Sequence, residues 1–340
     1  MPAEQLRALR DKIAAGDVAA VRAWLTRQAA GTEFFYDEWD YRIGDYRRRW
    51  CKLRELDGEE DAGEYFAEAL ERSSELVQQI KRDFQLLRPE QLRRVPRMEH
   101  GEEFDLNALV EAHADRRTRR TPSDRLYIAR KPEERDVATL FLIDMSASTD
   151  EPLPAEIAKG NDNPRRVIDL TKDTLVVLSQ VLEEMGDSYS IYGFSGHGRD
   201  GVEVYWVKSF AERLSDKVKS RLGGIRPKRS TRMGAALRHA GEKLARANAR
   251  ARHLILLSDG FPQDFDYGDD RRSNVYGIRD TMQALRELEK RGMQTFCITV
   301  DPAGHDYLGD MCQASRYAII DDINELPREL VRIYRRITHA

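Results

Sequence analysis

Three short polar segments in the second half of the chain have side chains that could bind a hard metal ion. The first segment contains Asp144, Ser146 and Ser148, the second contains Thr231, and the third contains Asp259. Carboxylates and hydroxyls are oxygen ligands, and Mg²⁺ prefers octahedral oxygen coordination in which several waters remain. Because the first three residues occupy alternate positions of one segment, their side chains could all turn towards the same ion.

This set of ligands predicts a binding site rather than a catalytic one. The set contains only two carboxylates, so a bound cation stays electrophilic and keeps a coordination position open. A carboxylate from a partner protein is the natural ligand for that position. We therefore expect a Mg²⁺ site, which Mn²⁺ could also occupy, that binds an Asp or Glu of a partner reversibly.

Each segment also has a simpler structural interpretation. Asp144 and the serines after it could form a polar turn, Thr231 could cap a helix, and Asp259 with Gly260 could form a tight turn. Two of the segments directly follow the most apolar predicted strands, and ligands of open α/β sheets bind at the carboxyl ends of strands. The occurrence of all three segments in this arrangement favours the metal site.

The predicted strands and helices that would position these residues alternate from residue 136 onwards. Residues 137–143 form an apolar run, which is typical of a strand buried on both faces, and residues 253–257 predict another buried strand. Strands that alternate with helices predict a doubly wound, mostly parallel α/β sheet with helices on both faces. We place this domain at residues 136–340.

Residues 1–130 are predicted to form a smaller, mainly helical region. Apolar spacing predicts a helix within 59–86, and a second helix is expected over 104–117 with Asp105 as its N-cap. The segment 33–41 is acidic and aromatic and has few helix formers, so an extended or irregular path is expected there. This segment could pack as core and linker, or it could belong to a docking surface.

Composition excludes several classes of protein. The 340 residues include 56 basic and 59 acidic ones, and the resulting net charge of −3 argues against a dedicated nucleic-acid-binding protein. The sequence has no apolar run of about 18 residues that would predict a membrane span, and its charged start lacks the apolar core of a signal peptide. Three scattered cysteines do not predict a disulfide scaffold or a zinc cluster. We expect a cytoplasmic protein.

Residues from about 136 to 340 resemble a von Willebrand factor A domain with a complete metal-ion-dependent adhesion site. The matching positions are Asp144, Ser146, Ser148, Thr231 and Asp259. The resemblance implies a doubly wound sheet and a bound divalent ion, usually Mg²⁺.

A narrower resemblance is to the NorD and CbbO proteins. The matching segments are 36–41, 50–51, 106–112, 120–125, 191–195, 231–236 and 296–301. Such proteins work with hexameric AAA+ ATPases of the MoxR type; NorD types help to activate nitric oxide reductase and CbbO types help to reactivate inhibited rubisco. The resemblance implies a non-catalytic adaptor between such an ATPase and its client enzyme. Since family members usually have a longer N-terminal region, it also implies a fragment or a short variant.

Two other functions fit parts of the sequence. A metal-chelatase subunit also pairs an A domain with an AAA+ motor, although the segment before the A domain resembles the activator proteins better. A Mg²⁺-dependent phosphatase of the haloacid dehalogenase type places an aspartate after its first strand, but its acid–base aspartate two residues later is Ser146 here. The sequence lacks a P-loop motif, so ATP hydrolysis would belong to a partner.

Overall fold

The computed structural model describes residues 32–85, 92–132, 136–153, 157, 162–268, 273–300, 304–312, 316–320 and 323–338. The start of the predicted N-terminal region, before residue 32, lies outside these residues. The described residues divide into two compact units. One unit contains those up to Gln78 together with those from Val137 onwards, and the other is Gln79–Asp136.

The strands and helices are numbered in chain order. The strands are β1 (Thr32–Asp40), β2 (Asp45–Asp57), β3 (Leu92–Met98), β4 (Glu103–Phe104), β5 (Tyr127–Pro132), β6 (Val137–Asp144), β7 (Ser188–Gly196), β8 (Val202–Lys208), β9 (Ala251–Ser258), β10 (Gln294–Thr299) and β11 (Tyr317–Ile319). The helices are α1 (Tyr65–Arg72), α2 (Ser74–Gln85), α3 (Leu106–Arg117), α4 (Val167–Met185), α5 (Asp216–Gly223), α6 (Met233–Ala245), α7 (Val275–Lys290), α8 (Gly304–Met311) and α9 (Leu326–Thr338).

An eight-stranded sheet forms the centre of the first unit, in the order β1-β2-β8-β7-β6-β9-β10-β11. Strands β7, β6, β9, β10 and β11 pair in parallel, and β8 is antiparallel to β7. Successive side chains of a strand point to opposite faces. In β6, Leu140 and Leu142 belong to the core cluster that contains α6, whereas the Phe141 ring contacts Tyr334 of α9. The predicted mostly parallel α/β sheet is confirmed.

Strands β1 and β2 extend this sheet. Residues 32–57 were predicted to lie in a mainly helical region, but they form an antiparallel hairpin whose second strand pairs in parallel with β8. Only one face of β2 packs against the core, through Cys51 and Leu53, which are almost fully buried. Because many of the other residues of β2 are charged, its sequence does not show the apolar run of a central strand. The extended path expected for residues 33–41 is confirmed as β1.

The second unit contains a three-stranded antiparallel sheet in the order β3-β5-β4, together with α3. Asp105 is the N-cap of α3, and its side chain accepts hydrogen bonds from the backbone N–H groups of Asn107 and Ala108. The predicted helix and its cap are thus confirmed. No helix among the residues that the structure describes has the length and apolarity required to cross a bilayer.

A buried carboxylate closes the hairpin between β1 and β2. Asp40, whose side chain is fully buried, accepts hydrogen bonds from the backbone N–H and the guanidinium group of Arg42, both at 3.0 Å. It also accepts one from Arg47 Nη2 at 2.7 Å. These hydrogen bonds, those of Arg42 first, lower the pKa of Asp40 to about 2.

Replacing this carboxylate should destabilise the protein in a pH-dependent way. We expect Asp40→Asn to lower the free energy of unfolding by about 1–2 kcal/mol near pH 6, because an amide cannot pair with two guanidinium groups. The pKa of Asp40 in the folded state lies below that of an unfolded aspartate. The difference between wild type and variant should therefore be complete above about pH 4 and be lost as the pH falls through about 2.

Urea denaturation of both proteins at about pH 6 and about pH 3 measures this difference. A difference that does not shrink at the lower pH would contradict the assignment.

Candidate metal centre

The register of the sheet brings the first and third predicted segments together. Strands β6 and β9 are parallel neighbours, and Ile143 lies opposite Leu257. Asp144 and Ser258 therefore end their strands side by side at the carboxyl edge of the sheet. The Ser258 hydroxyl donates a hydrogen bond to Asp144 Oδ2 at 2.7 Å. Asp144 is only 3% exposed, because β6 lies at the centre of the sheet.

The loop after β6 turns its two serine hydroxyls towards the third segment. The Ser146 backbone N–H donates to Asp144 Oδ1 at 2.9 Å, which is the local turn that the simpler interpretation predicts. The Ser146 hydroxyl lies 2.9 Å from the Ser148 hydroxyl and 3.4 Å from Asp259 Oδ1. Four of the five predicted ligands are thus linked by hydrogen bonds, so the turn and the cluster of oxygen ligands coexist.

The two carboxylates of this cluster have raised pKa values. Burial, and secondly the negative charge of Asp259, raise the pKa of Asp144 to about 7. Burial also raises the pKa of Asp259. Within the described part of the chain, no ion pair joins either carboxylate to a basic side chain. Two partly desolvated carboxylates without a cation are an unfavourable arrangement that a divalent ion would relieve.

Thr231 reaches the same edge of the sheet through backbone hydrogen bonds. Its N–H donates to the Gln263 carbonyl at 2.9 Å, which joins the second segment to the loop that follows β9 and begins with the third segment. The Ala147 N–H donates to the Arg229 carbonyl at 2.6 Å, which joins the second segment to the first. Thr231 does not cap α6, since the N-cap residue is Arg232. The simpler interpretation, in which the Thr231 hydroxyl caps this helix, is therefore wrong.

The ligand atoms fit a small, hard cation. A cavity of about 20 Å³ borders both carboxylates, but half of its lining is apolar and Ser146, Ser148 and Thr231 do not line it, so this cavity is not the space between the three segments. In the described ranges, no group of three or more His, Cys, Asp or Glu side chains is placed to hold a metal. The oxygen atoms here come from two carboxylates and from hydroxyls, a set that suits Mg²⁺ or Mn²⁺ better than zinc.

Arg232, a buried residue beside this site, was not predicted from the sequence. Arg232 follows Thr231 directly and is fully buried against Glu38 of β1. Glu38 lies in the segment 33–41, which was predicted either to pack in the core or to belong to a docking surface. Because Glu38 is buried, core packing is supported for this residue. No local sequence pattern could have identified the pair, because 194 residues separate its members.

Comparisons with known proteins agree with this geometry. The family described as von Willebrand factor type A domain matches residues 139–331. "Protein NorD" from Brucella melitensis is 34% identical over 312 residues, which are 92% of this chain and 47% of that protein. "Protein NorD" from Stutzerimonas stutzeri is 36% identical over 253 residues, which are 74% of this chain and 39% of that protein. The chain spans at most about half the length of these curated relatives.

A solved structure with a similar chain path is the PilB minor pilin from Streptococcus sanguinis. It has a TM-score of 0.49 and 16% sequence identity, and the match covers 62% of this chain and 64% of that chain.

Removing one carboxylate should separate metal binding from folding. We expect Asp144→Asn to abolish stabilisation by MgCl₂ and to leave the metal-free protein at least as stable as wild type, because a buried charge facing Asp259 is lost. A hundredfold excess of Mg²⁺ over its Kd should stabilise the wild type by about 2.7 kcal/mol. Thermal unfolding in EDTA and in MgCl₂ measures both effects.

The matched control is Asp200→Asn, since Asp200 is an exposed carboxylate and should behave as wild type. Equal stabilisation of Asp144→Asn and wild type by MgCl₂ would show that the ion binds elsewhere.

Proposed function

Since this chain belongs to the von Willebrand factor type A domain family, we propose that it is a non-catalytic adaptor. Asp144, Ser146, Ser148, Thr231 and Asp259 hold a divalent ion, Mg²⁺ or Mn²⁺, and the site binds a carboxylate of a partner protein. Through this contact the chain links an AAA+ ATPase of the MoxR type to the client enzyme that the ATPase activates.

One observation supports this proposal most directly. The Ser146 hydroxyl lies within hydrogen-bonding distance of both Ser148 and Asp259, and Asp144 is bonded to the same loop. These oxygen atoms come from two loops at one edge of the sheet, and the loop of Thr231 is bonded to both. When bound, the ion supplies an electrophilic position for a carboxylate oxygen. The neutral hydroxyls leave its charge only partly compensated, so a negatively charged ligand is favoured.

The arrangement of side chains supports binding rather than phosphoryl transfer. A haloacid-dehalogenase-type phosphatase needs an acid–base aspartate two residues after its nucleophile. That position is Ser146 here, a buried hydroxyl that bonds to its neighbours. A serine hydroxyl is a poor general acid or base near neutral pH, because the pKa of an alcohol is far from 7.

The curated relatives named NorD favour nitric oxide reductase over rubisco as the client. Their similarity extends beyond the A domain, because the alignment with the Brucella protein covers 92% of this chain. A metal-chelatase role is less well supported, since neither of those relatives has such a name.

A pull-down experiment tests the adaptor function. We expect the full chain to retain a MoxR-type ATPase or the client in MgCl₂, and to lose at least about 90% of that binding in EDTA or with Asp144→Ala, because the partner carboxylate then has no ion to bind. Asp200→Ala, which changes an exposed carboxylate, should bind as wild type does.

Equal recovery of both partners by wild type and Asp144→Ala, with and without chelator, would rule out ion-dependent docking. Phosphatase turnover of a generic phosphoester in MgCl₂, lost in Asp144→Ala, would instead favour the enzyme alternative.

A further inference from the structure

A buried ion pair joins the β1–β2 hairpin to the second segment of the candidate metal site. The Arg232 guanidinium group donates from Nε and Nη2 to Glu38 Oε2, at 2.9 and 2.7 Å. The side chains of the two residues are 0% and 1% exposed. Glu38 lies in β1, outside residues 139–331 that match the A-domain family. Arg232 is the residue directly after Thr231.

The same guanidinium group also contacts the loop that follows β9 and begins with the third segment. Arg232 Nη1 donates to Asp264 at 3.2 Å and to Asp266. Both carboxylates are fixed by backbone groups after β7, because the Gly198 N–H donates to Asp264 and the Arg199 N–H donates to Asp266. One side chain therefore connects the hairpin and the second segment to the loop that follows β9.

A second contact holds the hairpin against the start of α6. The Trp39 backbone N–H donates to Asp280 Oδ1 of α7 at 2.9 Å. A Cβ atom at Gly234, in the first turn of α6, would lie 1.9 Å from Asp280 Oδ2. The first turn of α6 is thus packed closely against the group that binds β1, and the position of Arg232 depends on the hairpin from two directions.

We infer that Glu38 and Arg232 are a positioning pair, which holds Thr231 in place for the divalent ion and makes the ion affinity depend on the hairpin. This inference rests on the proposed metal-binding function. Neither residue is a ligand; both act through the backbone of the second segment, whose Thr231 N–H is bonded to Gln263.

Loss of the Glu38 charge should weaken ion binding for two reasons. In Glu38→Gln, Arg232 would lose its anionic partner and keep at most neutral hydrogen bonds to the amide oxygen, so its guanidinium group would be drawn towards its remaining carboxylate partners. Those partners are Asp264 and Asp266 in the loop that follows β9, so the start of α6 and Thr231 would be drawn out of place. The surroundings of the ion would also gain one positive charge, which opposes a divalent cation.

The hairpin does not need this pair in order to stay in the sheet. Residues Leu53–Asp57 of β2 pair with Val202–Trp206 of β8 along the strand, and Cys51 and Leu53 are buried in the core. A change at Glu38 can therefore alter the metal site while the sheet persists.

The experiment measures the Kd of Mn²⁺ for the full chain, by titration calorimetry or by the electron paramagnetic resonance of free Mn²⁺. We expect Glu38→Gln to raise the Kd by about tenfold or more, as changes next to metal ligands do. The matched control is Asp40→Asn, which removes another fully buried carboxylate of β1 that pairs with Arg42 and Arg47 instead. Its Kd should stay close to that of wild type.

A double-mutant cycle tests whether Glu38 acts through Arg232. In an Arg232→Met background, Glu38→Gln should have no further effect on the Kd. Arg232→Lys keeps the buried charge but cannot make the same paired hydrogen bonds. Arg232→Lys should also raise the Kd of Mn²⁺. If Glu38→Gln does not fold, the Kd of Arg232→Lys tests whether the Glu38–Arg232 pair affects ion binding.

The outcomes distinguish the two proposals. Mn²⁺ binding by wild type with an unchanged Kd in Glu38→Gln and Arg232→Lys would overturn this inference alone. An equal rise in Glu38→Gln and Asp40→Asn would also overturn it, because general loosening of the hairpin would then explain the effect. Absence of Mn²⁺ binding by wild type would overturn the proposed metal site itself.

Discussion

Two carboxylates that share a poorly hydrated space are the constraint on which the site depends. The parallel register of β6 and β9 brings Asp144 and Asp259 to the same edge of the sheet, and burial there raises the pKa of both. Such an arrangement costs stability unless a cation compensates it. The Ser146 and Ser148 hydroxyls lie beside the pair, and in the proposed function a bound divalent ion would compensate the two charges.

The loops are held from behind by groups outside the ligand set. Arg232 is fully buried, and its guanidinium group joins β1 to Asp264 in the loop that follows β9. The ligands of a metal ion are oriented by the groups that form hydrogen bonds to them. The hairpin therefore helps to position Thr231 through the Glu38–Arg232 pair, although it precedes the region that matches the A-domain family.

The sequence predicted the parts of this structure that depend on local pattern. Apolar runs predicted β6 and β9, and polar residues directly after them predicted the cluster of carboxylates and hydroxyls at the carboxyl edge of the sheet. The hairpin was not predicted as part of the sheet, because β2 packs only one face through Cys51 and Leu53. The Glu38–Arg232 pair depends on tertiary packing across most of the chain, and hydrophobic periodicity has no information on such a contact.

Anomalous diffraction from crystals soaked in MnCl₂ tests the central claim most directly. The account predicts one strong peak between the three loops, at about 2.0–2.3 Å from oxygen atoms of the set Asp144, Ser146, Ser148, Thr231 and Asp259. A strong peak elsewhere with none at this edge of the sheet, or no peak in crystals with the loops open to solvent, would contradict it.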